Sequence, residues 1–140
     1  MAHDFAKVRV ILVEDNVSDR ALFSFILRSL KIQFQIDSTG EQVVDLAKAT
    51  PPDIIFLDLT LPNRSGYEVF GELRQIETLK AVRIIAITAT DPGIALPRCK
   101  ELGFDGYIAK PIRQIAFVKQ VERILDGQEV WDDDPTQYNK

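Results

Sequence analysis

The sequence has a single cysteine, Cys99, so no intramolecular disulfide can staple it, and a packed small side chain is expected there rather than a redox centre. It has no apolar run near the roughly 20 residues that cross a bilayer, and Met1 to Arg9 holds no hydrophobic signal-peptide core. A cytoplasmic protein with no membrane partner is therefore expected. Positive charge is short: 17 Lys and Arg face 21 Asp and Glu, a net charge of −4, which argues against the basic stripe that nucleic acid requires. Histidine is nearly absent, and the one present, His3, lies in a terminus expected to fray and to be chemically inert. No glycine follows the first apolar run, Val10 to Val13, so backbone amides there cannot close around a nucleotide or flavin phosphate. Against these absences stands a 46% hydrophobic content in 140 residues, enough for one core.

Apolar runs and amphipathic stretches alternate along the chain. Val10-Ile11-Leu12-Val13, Ile54-Ile55-Phe56-Leu57 and Ile84-Ile85-Ala86-Ile87 are short, continuous and β-rich, as strands covered on both faces are. Ile32, Phe34 and Ile36 alternate with polar residues and suit an edge strand; Tyr107-Ile108-Ala109, closed by Lys110-Pro111, suits the opposite edge. Ser38 with Glu41, and Ser65 with Glu68, have capping-box spacing and mark helix starts. The first helix, near Ser18 to Leu30, carries a wide apolar arc in which Phe23 and Leu27 belong to the core. Val69, Phe70, Leu73 and Ile76 share a face, as do Ile115, Val118, Val121 and Leu125, and Gly127 ends the last helix. Pro92, Gly93 and Pro97 predict a short fourth helix beginning at or just before Pro97, with Thr90 to Leu96 as a loop. The pattern is (βα)5, an α/β doubly wound parallel five-stranded sheet with helices on both faces. Residues 1–127 form the domain. Residues 128–140 form an acidic tail expected to be flexible, with Trp131 able to pin it to the body.

Such sheets bind ligands beyond the carboxyl ends of their strands. Glu14 and Asp15 close the first strand, Asp58 the third, Thr88 the fourth and Lys110 the fifth. Any one of these is ordinary, since an acid after a strand is often a helix cap. Their conjunction is not, because two carboxylates about 4 Å apart repel by about 4 kcal/mol at an effective dielectric near 20 and call for a cation. Oxygen donors of this kind suit Mg2+, with Lys110 as a second counter-charge and Thr88 as a hydroxyl donor.

In these segments the chain resembles the receiver domain of two-component response regulators, over roughly Val8 to Leu125. The motifs are Val10-Ile11-Leu12-Val13-Glu14-Asp15-Asn16, then Asp53 to Pro62 with Asp58 in its middle and Gly66 following, then Ile87-Thr88-Ala89, then Gly106-Tyr107-Ile108-Ala109-Lys110-Pro111. The resemblance implies the flavodoxin-like strand order 2-1-3-4-5 and a phosphoacceptor, not an enzyme, with Asp58 taking a phosphoryl group from a phosphohistidine and losing it slowly. It implies that Asp15, Asp58 and the Thr60 carbonyl ligate Mg2+, or Mn2+ in its place, with Glu14 acting through water. Lys110 and the Ala89 backbone would bind the phosphoryl group, Thr88 and Tyr107 would turn inward as a switch, and the Lys110–Pro111 peptide would be cis.

The implied partners are a sensor histidine kinase or a histidine phosphotransfer protein, meeting Ser18, Asp19, Leu22 and the loop after Pro111, together with a downstream protein target. With no second domain after the last helix, the expected form is a stand-alone regulator, monomeric or dimerising on phosphorylation. Thr60 and Thr90, beside the attacking water, point to modest autodephosphorylation. Two other classes compete: a receiver-like binding module that is never phosphorylated, and a haloacid-dehalogenase-like phosphohydrolase suggested by Asp58-Leu59-Thr60. The latter lacks the second acid two residues after the nucleophile, where Thr60 stands.

Overall fold

A computed structural model of the protein describes residues 3–132. Strands β1 (Arg9–Val13), β2 (Gln33–Asp37), β3 (Ile54–Asp58), β4 (Arg83–Thr88), β5 (Gly106–Ala109) and β6 (Val130–Trp131) alternate with helices α1 (Val17–Ser29), α2 (Val43–Ala49), α3 (Gly66–Arg74), α4 (Pro92–Leu102) and α5 (Gln114–Leu125). All strand pairs are parallel, in the order β2-β1-β3-β4-β5-β6. None of the helices among the described residues is long and apolar enough to cross a membrane.

Side chains alternate across a pleated strand, so each continuous apolar run feeds two cores. Ile11, Val13, Ile55, Leu57, Ile84 and Ala86 face α2, α3 and α4. Val10, Leu12, Ile54, Phe56, Ile85 and Ile87 face α1 and α5. Phe117 anchors the second layer, its ring 5.3 Å from Phe23 and 5.2 Å from Phe56. With both faces covered, polar groups remain at the strand ends, and the carboxyl ends of β1, β3, β4 and β5 lie side by side.

Several local expectations are corrected. α4 spans Pro92–Leu102 rather than starting near Pro97. Asp91 caps it through the Gly93 amide at 2.8 Å, Pro92 occupies the first helical position where no N–H is needed, and burial of Ala95 and Cys99 carries the helix through Pro97. α2 starts at Val43, five residues after Ser38, because Asp37, buried at the end of β2, accepts hydrogen bonds from the amides of Thr39, Gly40, Gln42 and Val43. Burial alone would raise the Asp37 pKa, but these donors outweigh it and hold it below the usual carboxylate value. On α5 the core is filled by Ala116, Phe117, Val121 and Ile124, while Ile115 is 70% exposed. His3 is not a free terminal side chain; it pairs with Asp126 at 2.6 Å.

The largest departure is at the far edge. β5 is not terminal, because the chain reverses after α5 and lays β6 beside it, making six strands where five were expected. Gly127 (φ +84°) and Gln128 close the helix through their amides to the Ile124 and Arg123 carbonyls, each at 3.0 Å. Val130 is then fully buried, and the Asp132 carboxylate accepts from the Ala109 amide at 3.2 Å. Gly106 permits this approach, since a Cβ there would stand 2.7 Å from the Val130 carbonyl oxygen. The start of the expected tail is thus part of the sheet; residues 133–140 lie outside the described residues.

Candidate functional site

The strand ends build a cleft of about 500 Å³ lined by Asp15, Asn16, Asp19, Asp58, Thr60, Ala89, Thr90 and Lys110. β1 delivers Glu14 and Asp15, whose backbone Arg20 steadies by donating to the Asp15 carbonyl at 3.1 Å. β3 delivers Asp58, 3% exposed, with Oδ1 accepting from the Thr60 amide at 2.9 Å. Gly66, at the start of α3, packs against the Asp58 backbone so closely that a Cβ would fall 2.3 Å from its carbonyl oxygen. Ser65 caps that helix, accepting from the Tyr67 amide at 3.0 Å.

Lys110 reaches the cleft from β5, and the Lys110–Pro111 peptide is cis. Its Nζ lies 2.6 Å from Glu14 Oε1, 2.9 Å from Asp19 Oδ2 and 3.1 Å from Asp58 Oδ2. Burial favours loss of its proton, but the Glu14 and Asp19 carboxylates outweigh burial and hold the ammonium charged. Glu14 is fully buried; burial, then Asp58, pushes its carboxyl up from 4.5 to about 8, with Lys110 opposing. Glu14 Oε1 touches the ammonium as an ion pair but receives no hydrogen bond.

Glu14, Asp15 and Asp58 each offer a carboxylate oxygen, all within 4.8 Å of one another. Hard oxygen donors, one of them buried without a hydrogen-bond donor, and excess negative charge fit Mg2+. Thr60 lines the same cleft.

Thr88 is placed otherwise. Its hydroxyl donates to Thr90 Oγ1 at 3.0 Å and accepts from the Thr90 amide at 3.0 Å. Tyr107 is fully buried, and its hydroxyl donates to the Thr90 carbonyl at 3.3 Å. Burial first, and then the charge of Asp132, pushes the Tyr107 phenol up to about 12. Ser18 is exposed and Leu22 half-buried on the first turns of α1, near but not lining the cleft. Two contributions escaped sequence reasoning. Thr90 holds both Thr88 and Tyr107, and Asp19 turns its carboxylate onto Lys110 rather than outward. The available signal was the place of Asp19 in the first turn of α1, directly after the strand end that carries Glu14 and Asp15.

The fold and this cluster define a receiver domain. The family model described as the response regulator receiver domain matches residues 10–122, so the chain belongs to that family and to two-component signalling. It is 32% identical over 116 residues to the polar-differentiation response regulator DivK of Brucella ovis, covering 83% of this chain and 94% of that one. Among solved structures, it is similar to the receiver domain of the sensor histidine kinase PA1611 from Pseudomonas aeruginosa, which carries a magnesium ion in its active-site cleft: TM-score 0.76, 30% identity, 86% and 98% of the two chains covered. It is also similar to the receiver domain of the Saccharomyces cerevisiae response regulator Ssk1, solved with the histidine phosphotransfer protein Ypd1: TM-score 0.77, 29% identity, 85% and 89% covered.

Proposed function

We propose that this chain accepts a phosphoryl group on Asp58 from the phosphohistidine of a sensor kinase or phosphotransfer protein. The observation that carries this reading is the placement of Asp58 at the floor of the cleft, with the Lys110 ammonium 3.1 Å from one oxygen and the Glu14–Asp15 pair beside it. In the transfer a carboxylate oxygen of Asp58 bonds to phosphorus as the phosphorus–nitrogen bond breaks and the imidazole leaves. Catalysis of such a transfer is mostly positioning and charge neutralisation. Glu14, Asp15, Asp58 and the Thr60 carbonyl would hold Mg2+, or Mn2+, whose role is to neutralise the phosphoryl oxygens. Lys110 supplies the fixed positive charge, and the backbone of Ala89, which lines the same cleft, would bind the phosphoryl group with it.

The signal follows as a population shift. Thr88, held by Thr90 in the resting arrangement, exchanges that partner for a phosphoryl oxygen, and Tyr107 follows through Thr90. The phosphohistidine approaches over the first turns of α1, where Ser18 and Leu22 lie, and over the start of α5. Val17 and Ile115, each 70% exposed, give that approach an apolar footing. The Ssk1–Ypd1 complex supports a partner of this class. Incubating the protein with Mg2+ and a small phosphoryl donor should add one phosphoryl mass to the intact chain and none to Asp58→Asn. No adduct in either protein would favour the binding module that is never phosphorylated.

A further inference from the structure

We propose that Asp19 is a positioning residue of the phosphoacceptor site, a placeholder that occupies, in the resting protein, the place beside Lys110 that a phosphoryl oxygen must take. This rests on the reading of Asp58 as phosphoacceptor. An ammonium carries three N–H groups. Three acid oxygens, from Glu14, Asp19 and Asp58, lie within 3.1 Å of Lys110 Nζ, so its immediate shell is full before any phosphoryl group arrives. One contact must be released on phosphorylation.

The three differ in what release costs. The Glu14 side chain is 0% exposed, and without the ammonium its Oε1 would be a buried polar atom with no partner at all. Asp58 is 5% exposed in its side chain and carries the phosphoryl group itself. Asp19 is 28% exposed in its side chain, lines the cleft, and can turn its carboxylate to water. Its backbone stays fixed whichever way the side chain turns, because Asn16 Oδ1 caps the helix by accepting from the Asp19 amide at 2.9 Å. Asp19 is therefore the contact released, and its pair with Lys110 and a bound phosphoryl group exclude each other. Release also frees a carboxylate on the exposed first turn of α1, so this turn differs between the two states.

The test is binding of beryllofluoride, a phosphoryl mimic that joins Asp58 without turnover, measured calorimetrically with Mg2+ on the full chain. It is read beside the small-phosphodonor concentration for half-maximal phosphorylation and the maximal rate. Asp19→Asn should bind the mimic roughly three- to five-fold more tightly, the range of a part-exposed charge pair. It should lower the half-saturating donor concentration by a similar factor, with the maximal rate little changed. Asp19→Glu should behave as the natural protein. Ser18→Lys, which changes the local charge equally but leaves the pair intact, should gain less than half as much. Circular dichroism melts confirm that each variant folds. If Asp19→Asn binds no more tightly, or Ser18→Lys gains as much, the placeholder is wrong while Asp58 stands. If the natural protein neither binds the mimic nor gains phosphoryl mass, the phosphoacceptor reading falls and takes the placeholder with it.

Discussion

Replacing Glu14 by Gln should stabilise the metal-free protein at alkaline pH. Glu14 is wholly buried, and burial and Asp58 lift its carboxyl from 4.5 to about 8. Between those values the folded chain holds a proton that the unfolded chain has lost, so stability is fully present below 4.5 and falls as pH rises through about 8. At roughly 1.4 kcal/mol per pH unit the whole displacement corresponds to about 5 kcal/mol. Lys110 and Asp58 readjust around whichever acid is charged, so about 2 kcal/mol is expected at Glu14 itself. The amide of the variant can still accept from the Asn16 amide, as Glu14 Oε2 does at 3.3 Å, and Lys110 keeps Asp19 and Asp58. Urea unfolding in chelator from pH 5 to 9, followed by the fluorescence of Trp131, the sole tryptophan, reads the difference. The natural protein should lose stability across this range and the variant should lose about 2 kcal/mol less, with Mg2+ at pH 8 closing the gap. Parallel profiles for the two proteins, or stability rising with pH in the natural one alone, would mean that Glu14 does not hold the extra proton.

Gly66→Ala should cost about 1–3 kcal/mol in chemical denaturation, because its Cβ would meet the Asp58 and Leu59 backbone at the end of β3. Phe117→Ala, which empties the centre of the Phe23–Phe56–Phe117 cluster, should cost about 3–5 kcal/mol by the same assay. Asp132→Ala removes the acceptor of the Ala109 amide and should cost about 1–3 kcal/mol, with faster exchange of that amide and changed Trp131 fluorescence. Pro97→Ala restores an amide donor inside α4 and should slow hydrogen exchange in that helix, adding about 1–3 kcal/mol of local stability; unchanged exchange would mean the proline is already accommodated.

Much of the fold is legible because its signals are periodic. Three continuous apolar runs can be satisfied only by strands covered on both faces, and Val10–Val13, Ile54–Leu57 and Ile84–Ile87 became β1, β3 and β4, with Ile32–Ile36 giving the edge strand β2. Once the strands are parallel, the chemistry at their carboxyl ends follows, and Glu14, Asp15, Asp58 and Lys110 meet in the cleft. Features set by tertiary contact were not legible. β6 is two residues long, too short for any periodicity, and its place depends on a glycine gap in a strand 24 residues earlier. The starts of α2 and α4 are set by Asp37 and Asp91 rather than by the nearest serine or the second proline. Ile115 fits a helical stripe by spacing, yet the rotation of α5 is fixed by Phe117 seeking the aromatic cluster, which turns Ile115 outward. Asp19 reads as a surface acid until Lys110, 91 residues away, lies beside it.

Whether Asp58 receives a phosphoryl group from histidine is decided by mapping the acceptor. A phosphorylated histidine phosphotransfer protein is mixed with this chain and Mg2+, the acyl phosphate is trapped with hydroxylamine, and the peptides are weighed. A hydroxamate is expected on Asp58 alone, and none without Mg2+. A hydroxamate on another acid, or phosphate lost from the donor with no mark on Asp58, would mean that Asp58 is not the acceptor.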